Sequence, residues 1–263
     1  MPTTIPTTTS STRPGSPSTG DAYFETDTKN YIIYDGANWR GYVSDGETLG
    51  ANGYSLDLDG TDDRVELDNA TILNSASAFS ISLWVKSSST GSTMFMFQSG
   101  TDTYANSISF YRGSAGTVDF LIGKGGSSVA YIRYGSEIFD GSWQHLVATF
   151  GSSTQTLYIN GSVASTTLTG TTPSSTVSTA GTSPHIGSNI SDSLNINGKI
   201  DDVAIFSDAL TASEVSNIYT SRLYNRSKLA HLYRFENNYN DSKGSLNGTA
   251  QGNPTFDSSD KPY

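Results

Sequence analysis

From Tyr54 to about Arg222, apolar residues recur at every second position in short runs. In Phe79-Ser80-Ile81-Ser82-Leu83-Trp84-Val85 every odd position is apolar. That period places alternate side chains on opposite faces of a strand, with one face on a core. YSLDLDG, DRVELD, STMFMFQSG, SISFYRG, TVDFLIGK, VAYIRYG, WQHLVATFG, QTLYING, SPHIGSN and GKIDDVAIF read the same way. Gly, Asn, Asp and Ser interrupt these runs at intervals of roughly ten residues, which is the spacing of a β-sandwich and not of βαβ units.

One segment has a different period. Thr211 stands three residues before Glu214, the spacing at which an N-cap hydroxyl and a glutamate each accept the other's backbone N–H. Leu210, Val215, Ile218 and Tyr219 then form an apolar stripe, and one short helix is predicted. Residues 1–20 are Thr, Ser, Pro and Gly with almost nothing apolar, so they predict a flexible or extended arm. Residues 21–43 hold two aromatic-rich strands around Thr26–Asn30, and a second turn at Asp35–Asn38 leads into Trp39. A hairpin this small is marginal alone in water. Exposed Tyr23, Phe24, Tyr31, Tyr34 and Trp39 would then pack on the main domain, on copies of themselves or on another protein. The expected organisation is an arm at 1–20, an anchoring or oligomerisation hairpin with its linker at 21–53, and a large β-domain at 54–263. The tail of that domain, 229–263, opens with a strand at Leu229–Phe235 and carries another near Pro254–Phe256.

Composition refines this picture. Hydrophobic residues make up only 35%, yet 15 Tyr, 11 Phe and 3 Trp exclude a disordered chain. A net charge of −10 repels phosphate backbones, so nucleic acid is not an expected partner. The same charge suits divalent cations, or serves solubility alone. The absence of cysteine removes disulfides and thiolate metal sites. No apolar run approaches the ~18 residues of a membrane span, and the first twenty residues lack the apolar stretch of a secretory signal.

Five motifs, in order, resemble the laminin-G/concanavalin-A-like jelly roll. LDLDGTDDRVEL (56–67) resembles its opening L-D-F-D-G strand pair, and FSISLWVK (79–86) its next core strand with a buried Trp. DGSWQHLVATF (140–150) is similar to W-H-H-V-A-x-T, and LYINGSVAST (157–166) to L-Y-V-D-G. GKIDDVAIFSDALTASEVSNIY (198–219) resembles G-x-I-D-E-V-R-I-Y-x-x-A-L-s-x-x-E-I. The implied fold is all-β, a two-sheet antiparallel jelly-roll sandwich with a small N-terminal hairpin module and one short helix. LAHLYRFENNYNDSKGSLNGT (229–249) resembles a segment that normally precedes the first motif but here comes last. A circularly permuted domain completed by its own tail is the favoured explanation. A strand donated to a neighbouring subunit and a broken second repeat are the others. RPGSPSTGDAYFETDTKNYIIYDGANW (13–39) resembles a segment of bacteriophage fibre and virion proteins. That resemblance implies a structural protein of a head fibre, decoration or tail, assembled in the host cytoplasm and displayed on the virion. Its partners would be other virion proteins, and it would be a homo-oligomer, with the trimer as one option.

Candidate chemistry is sparse. His145, His185 and His231 show no metal-ligand spacing, and His145 falls inside a strand pattern as a core residue. The E-x-D-x-x-E pattern of sandwich glucanases is absent, so the expectation is no enzyme activity. Asp59, Asp62 and Asp63 sit in a tight turn, and Asp201 and Asp202 follow Ile200 in a strand. The resemblance implies that the fold brings the two segments together around a structural calcium, which takes six to eight oxygens. The alternative is that these carboxylates cap turns. Tyr104, Tyr111, Tyr131 and Tyr134 are candidate carbohydrate-binding residues for a cell-surface glycan, or else cross-strand packing residues. A calcium-dependent carbohydrate-binding adhesin or receptor-binding tail protein is the alternative function.

Overall fold

The computed structural model describes residues 5–27, 31–34, 36–37, 39–42, 53–68, 71–89, 91–101, 104–126, 129–176 and 182–262. The expected turns at 28–30 and around residues 35 and 38, and linker residues 44–52, lie outside the described residues.

The alternating runs form two packed sheets. The first sheet runs, strand by strand, Thr167–Thr169, Val129–Tyr134, Val118–Gly123, Ser107–Arg112, Met94–Gly100, His185–Ile186, Arg64–Leu67 and Gly248–Gln251. The second runs Ser162–Val163, Thr154–Ile159, Gln144–Gly151, Ala78–Lys86, Asn197–Phe206, Ser55–Asp59 and Thr255–Asp257. Every pairing within the two is antiparallel. Phe79, Ile81, Leu83 and Val85 of one sheet meet Phe110, Phe120, Ile122 and Ile132 of the other, all buried. Each such side chain contributes about 1.5–3 kcal/mol by leaving water. This is the two-sheet sandwich expected from the period.

Asn197–Phe206 is the hinge of the second sheet. Its first half pairs with Ser55–Asp59, Asn197 opposite Asp59, and its second half pairs with Leu229–Tyr233. The exchange happens across a bulge between Asp201 and Ala204, where Asp202 has φ 44°. The predicted helix forms at Ala212–Ser221 with the full capping box, Thr211 as N-cap and Glu214 reaching back. Its Val215 and Ile218 cover Val147, Tyr158, Ala204 and Phe206 on the outer face of the second sheet.

The tail adds strands to both sheets of the same chain. Gly248–Gln251 pairs with Arg64–Leu67, and Thr255–Asp257 pairs with Ser55–Asp59. The first of these, GTAQ, has no apolar alternation and went unpredicted. Asp241 holds the connecting turn. Its carboxylate accepts from His231 Nδ1 at 2.7 Å and from the backbone N–H groups of Leu232, Lys243 and Gly244.

The N-terminal region is a small sheet and more than a hairpin. Ala22–Glu25, Tyr31–Tyr34 and Trp39–Tyr42 form a meander, and Thr7–Thr8 from the expected arm lies parallel to the first of them. The five aromatics expected to be exposed are half-buried because they pack on one another. Tyr23 meets Trp39 edge-on at 5.7 Å, Tyr34 lies 5.4 Å from Trp39, and Phe24 lies 4.9 Å from Tyr31. Arg13 pairs with buried Glu25 and reaches Asn217 of the helix at 3.3 Å, tying this sheet to the sandwich.

Candidate functional site

The first candidate is an acidic depression of about 340 Å³ where the strand ending at Asp59 meets the tail. Gly60 turns the chain there with φ +79°, and a Cβ on it would lie 2.7 Å from Asn197 Cβ. Asp59, Asp62 and Asp63 converge, one carboxylate oxygen of each lying within 4.8 Å of the others. Asp63, 4% exposed, accepts from the N–H groups of Asp59 at 3.0 Å and Asn253 at 2.6 Å. Asp59 accepts from Thr61 N–H at 2.7 Å. Asp59 and Asp63 therefore do cap turns. Because each oxygen keeps a second lone pair, the group also fits a hard cation such as calcium. Asn197, Asn253 and Thr255 line the same depression and add only nitrogen and oxygen groups, with no soft ligand. Nearby Lys199 bridges Asp57 at 2.8 Å and Asp257 at 3.2 Å. Burial alone would lower the pKa of its amine, but the two carboxylates raise it.

Asp201 and Asp202 are not brought to that group. The register puts Asp59 opposite Asn197, four residues along the strand from Asp201, about 13 Å at 3.3 Å per residue. Both aspartates are buried and engaged in the bulge. Asp201 accepts from the N–H of Asp202, and Asp202 pairs with Arg222 at 2.6 Å. Arg222 is itself the left-handed C-cap of the helix. Asp202 joins strand to helix, and Asp201 holds the backbone of the bulge.

The second candidate is the outer face of the first sheet. Alternation sends Phe110, Phe120 and Ile132 inward, so Phe95, Tyr111, Leu121 and Tyr131 face out as a separate apolar cluster. Tyr104, from a single 3-10 turn at Tyr104–Asn106, stacks on Phe95 and Tyr111, with ring centroids at 6.3 and 6.0 Å. Phe95 and Tyr111 are themselves stacked at 4.8 Å and buried, whereas Tyr104 is 42% exposed. Beside them Arg133 lies over the Tyr131 ring at 5.2 Å and donates through Nε to Asp119 at 2.6 Å. Burial first, then the charge of Asp119, raises the pKa of both Tyr104 and Tyr111, which keeps their hydroxyls protonated.

Three of the four predicted tyrosines thus share one face. Tyr134 does not, since it packs against the inter-sheet core. Sequence reasoning missed Phe95, Asp119 and Arg133. The signal was present, because Asp119 lies opposite Tyr111 and Arg133 in register, in the outward phase of its strand.

The three histidines serve packing and ties. His145 is fully buried beside Trp84 and Tyr219, at 5.0 and 5.8 Å, and bonds Ser82 Oγ through Nε2 at 2.9 Å. Burial lowers its pKa to about 3. His185 Nδ1 faces the Asn189 carbonyl at 3.1 Å and Asp192 at 3.3 Å. No helix among the described residues is long and apolar enough to cross a membrane.

No curated protein matches the chain. Among solved structures, a candidate carbohydrate-binding protein of Bacteroides ovatus superposes with a TM-score of 0.62 at 15% identity, covering 94% of this chain and 71% of its own. A native heptameric SAP-like pentraxin of Limulus polyphemus gives 0.55 at 16% identity, over 78% and 94%. The CBM40 of a Ruminococcus gnavus IT-sialidase, bound to α2,3-sialyllactose, gives 0.51 at 13% identity, over 62% and 96%. At these identities the likeness shows the fold, a two-sheet jelly roll. Residues 59–216, well over half of the chain, match the laminin-G-type family described as the concanavalin A-like lectin/glucanases superfamily. On that match and this fold, the chain belongs to the concanavalin A-like lectin/glucanases superfamily.

Proposed function

We propose that the chain binds carbohydrate on the outer face of its first sheet and performs no chemistry on it. The observation that carries this reading is the Tyr104 ring, exposed at 42% and held rigid by the stack beneath it. Sugar rings present flat C–H patches that pack on such a ring, and rim hydroxyls fix orientation. The carboxylates on this face are committed to arginines, Asp119 to Arg133 and Glu66 to Arg64, which favours binding over catalysis. Two of the named neighbours carry carbohydrate binding in their descriptions, in agreement with this reading. In the same reading calcium sits at Asp59, Asp62 and Asp63 and stiffens the turn against the tail. The test is a glycan array followed by titration calorimetry of the best saccharide, with and without EDTA. Tyr104→Ala is expected to weaken binding about tenfold while the protein stays folded, its melting temperature falling by no more than a few degrees. EDTA is expected to lower the melting temperature. Undiminished binding by the variant rejects the site, and an EDTA-insensitive transition rejects the calcium.

The small N-terminal sheet is proposed to fasten the jelly roll to a larger particle, the surface of a virion being the setting that residues 13–39 imply. The aromatic pairs and the Arg13–Glu25 tie make it a module with its own packing, which supports an anchoring role. Several copies on one particle would convert weak sugar contacts into avidity. Antibody labelling of intact virions is the check, and unlabelled particles would discard the virion setting.

A further inference from the structure

Arg133 is held on the sheet face by one edge only. Its Nε donates to Asp119 at 2.6 Å, and Asp119, with no exposed side-chain area, also accepts the Thr117 hydroxyl at 2.6 Å. The carboxylate is thus buried beneath the guanidinium and already supplied with protein donors. Among the described residues the two terminal nitrogens of Arg133 have no partner, and 40% of its side chain is open to solvent. This sets it apart from Arg64, Arg112, Arg222 and Arg234, each of which places a terminal nitrogen on a carboxylate.

The surroundings fix its orientation. Tyr131 lies under the guanidinium, Asp119 pins Nε, and Tyr104 and Tyr111 sense the charge of Asp119 from the adjacent stack. A guanidinium pinned by a stacked ring and a buried acid presents its terminal N–H groups as a preorganised fork. Such a fork matches the two oxygens of a carboxylate. The phenol hydroxyls beside it can donate to further ligand oxygens. We infer that the Arg133 fork, flanked by the Tyr104–Tyr111 stack, takes the carboxylate of an acidic saccharide. This inference rests on the carbohydrate reading above and narrows it from sugars in general to sugars that bear a carboxylate.

The experiment uses the full chain and a panel in which every carboxylated oligosaccharide is matched by its methyl ester. The free acid is expected to bind about tenfold tighter than the ester, the worth of one charge-assisted pair. The difference should shrink as salt is added. Arg133→Gln should erase the preference for the acid and leave ester binding in place. Arg133→Lys, which keeps the charge near Asp119 but loses the fork, should retain only part of it. Tyr104→Ala should weaken acid and ester alike. Equal affinity of the unmodified chain for acid and ester overturns the inference and leaves the carbohydrate reading standing. Binding to no saccharide overturns the carbohydrate reading itself and the inference with it. Should the Arg133 variants fail to fold because Asp119 is left buried without its cation, the acid–ester comparison on the unmodified chain decides.

Discussion

His145 shows how much a single buried ring can couple stability to pH. It sits in a stack with Trp84 and Tyr219, holds Ser82 through Nε2, and among the described residues nothing bonds its Nδ1. The lower-cost assignment puts the proton on Nε2, because an unpaired buried lone pair costs less than an unpaired N–H. In the folded chain the ring takes up a second proton only near pH 3, whereas a histidine of the unfolded chain does so near pH 6.5. Between those values the unfolded state holds the extra proton, so this contribution to stability is complete above about pH 6.5 and falls as the pH drops. The slope is about 1.4 kcal/mol per pH unit, or on the order of 3–5 °C in melting temperature. His145→Phe keeps the stack and removes the proton. Its melting curve is expected to be flatter than the wild type's between pH 6.5 and 4.5. Identical slopes for the two proteins would show that His145 is not the titrating group.

At the scale of elements, the helix and the bulge form one joint. Thr211 accepts Glu214 N–H, and Glu214 Oε2 accepts Thr211 N–H at 2.7 Å. Glu214 also receives Asn225 and Lys228, so the cap connects to the segment that leads into the tail. At the other end Arg222 closes the helix in the left-handed conformation and pairs with Asp202 in the bulge. Thr211→Ala should cost about 1 kcal/mol, seen as a fall of about 3 °C in melting temperature. Glycan binding should not change, since the helix covers the second sheet and the tyrosine stack lies on the first. A variant that binds less while remaining folded would mean that the two layers communicate. The capping box was legible because it depends on residues three apart. The bulge was not, because Asp201-Asp202 reads locally as two strand acids. Only the change of strand partner at that point explains their burial.

At the scale of the whole molecule, chain order and spatial order differ. Asp257 lies opposite Ser55, and Ser55 Oγ donates to the Asp260 carbonyl at 2.6 Å. The end of the tail therefore meets the start of the sandwich. A chain reordered as 229–262, a short Gly/Ser linker and 54–228 keeps every strand pairing of the two sheets. Loop-closure cost changes slowly with loop length, so this permutant is expected to fold and melt within a few degrees of residues 54–262 in their native order. Circular dichroism and calorimetry on both would check it, and an unfolded permutant would mean that the native connection at 228–229 is itself required. The order of motifs in the sequence already pointed to such a rearrangement. Which strands the tail supplies was hidden, since GTAQ carries no apolar pattern and is placed by its backbone pairing with Arg64–Leu67.

The sequence by itself determined the sandwich and the capped helix at Ala212–Ser221, because period-two alternation and a capping box are local and act wherever the chain lies. It also singled out the Asp59-Asp62-Asp63 turn, which closes within five residues. Tertiary structure decided what converges. Strand register separated Asp201 and Asp202 from that turn. The phase of each strand put Tyr111, Tyr131 and Arg133 outside, with Asp119 between Tyr111 and Arg133, and left Tyr134 against the core. Mutual packing turned the N-terminal aromatics inward. These outcomes depend on pairing between segments far apart in the chain, and a one-residue shift of register would send each side chain to the opposite face.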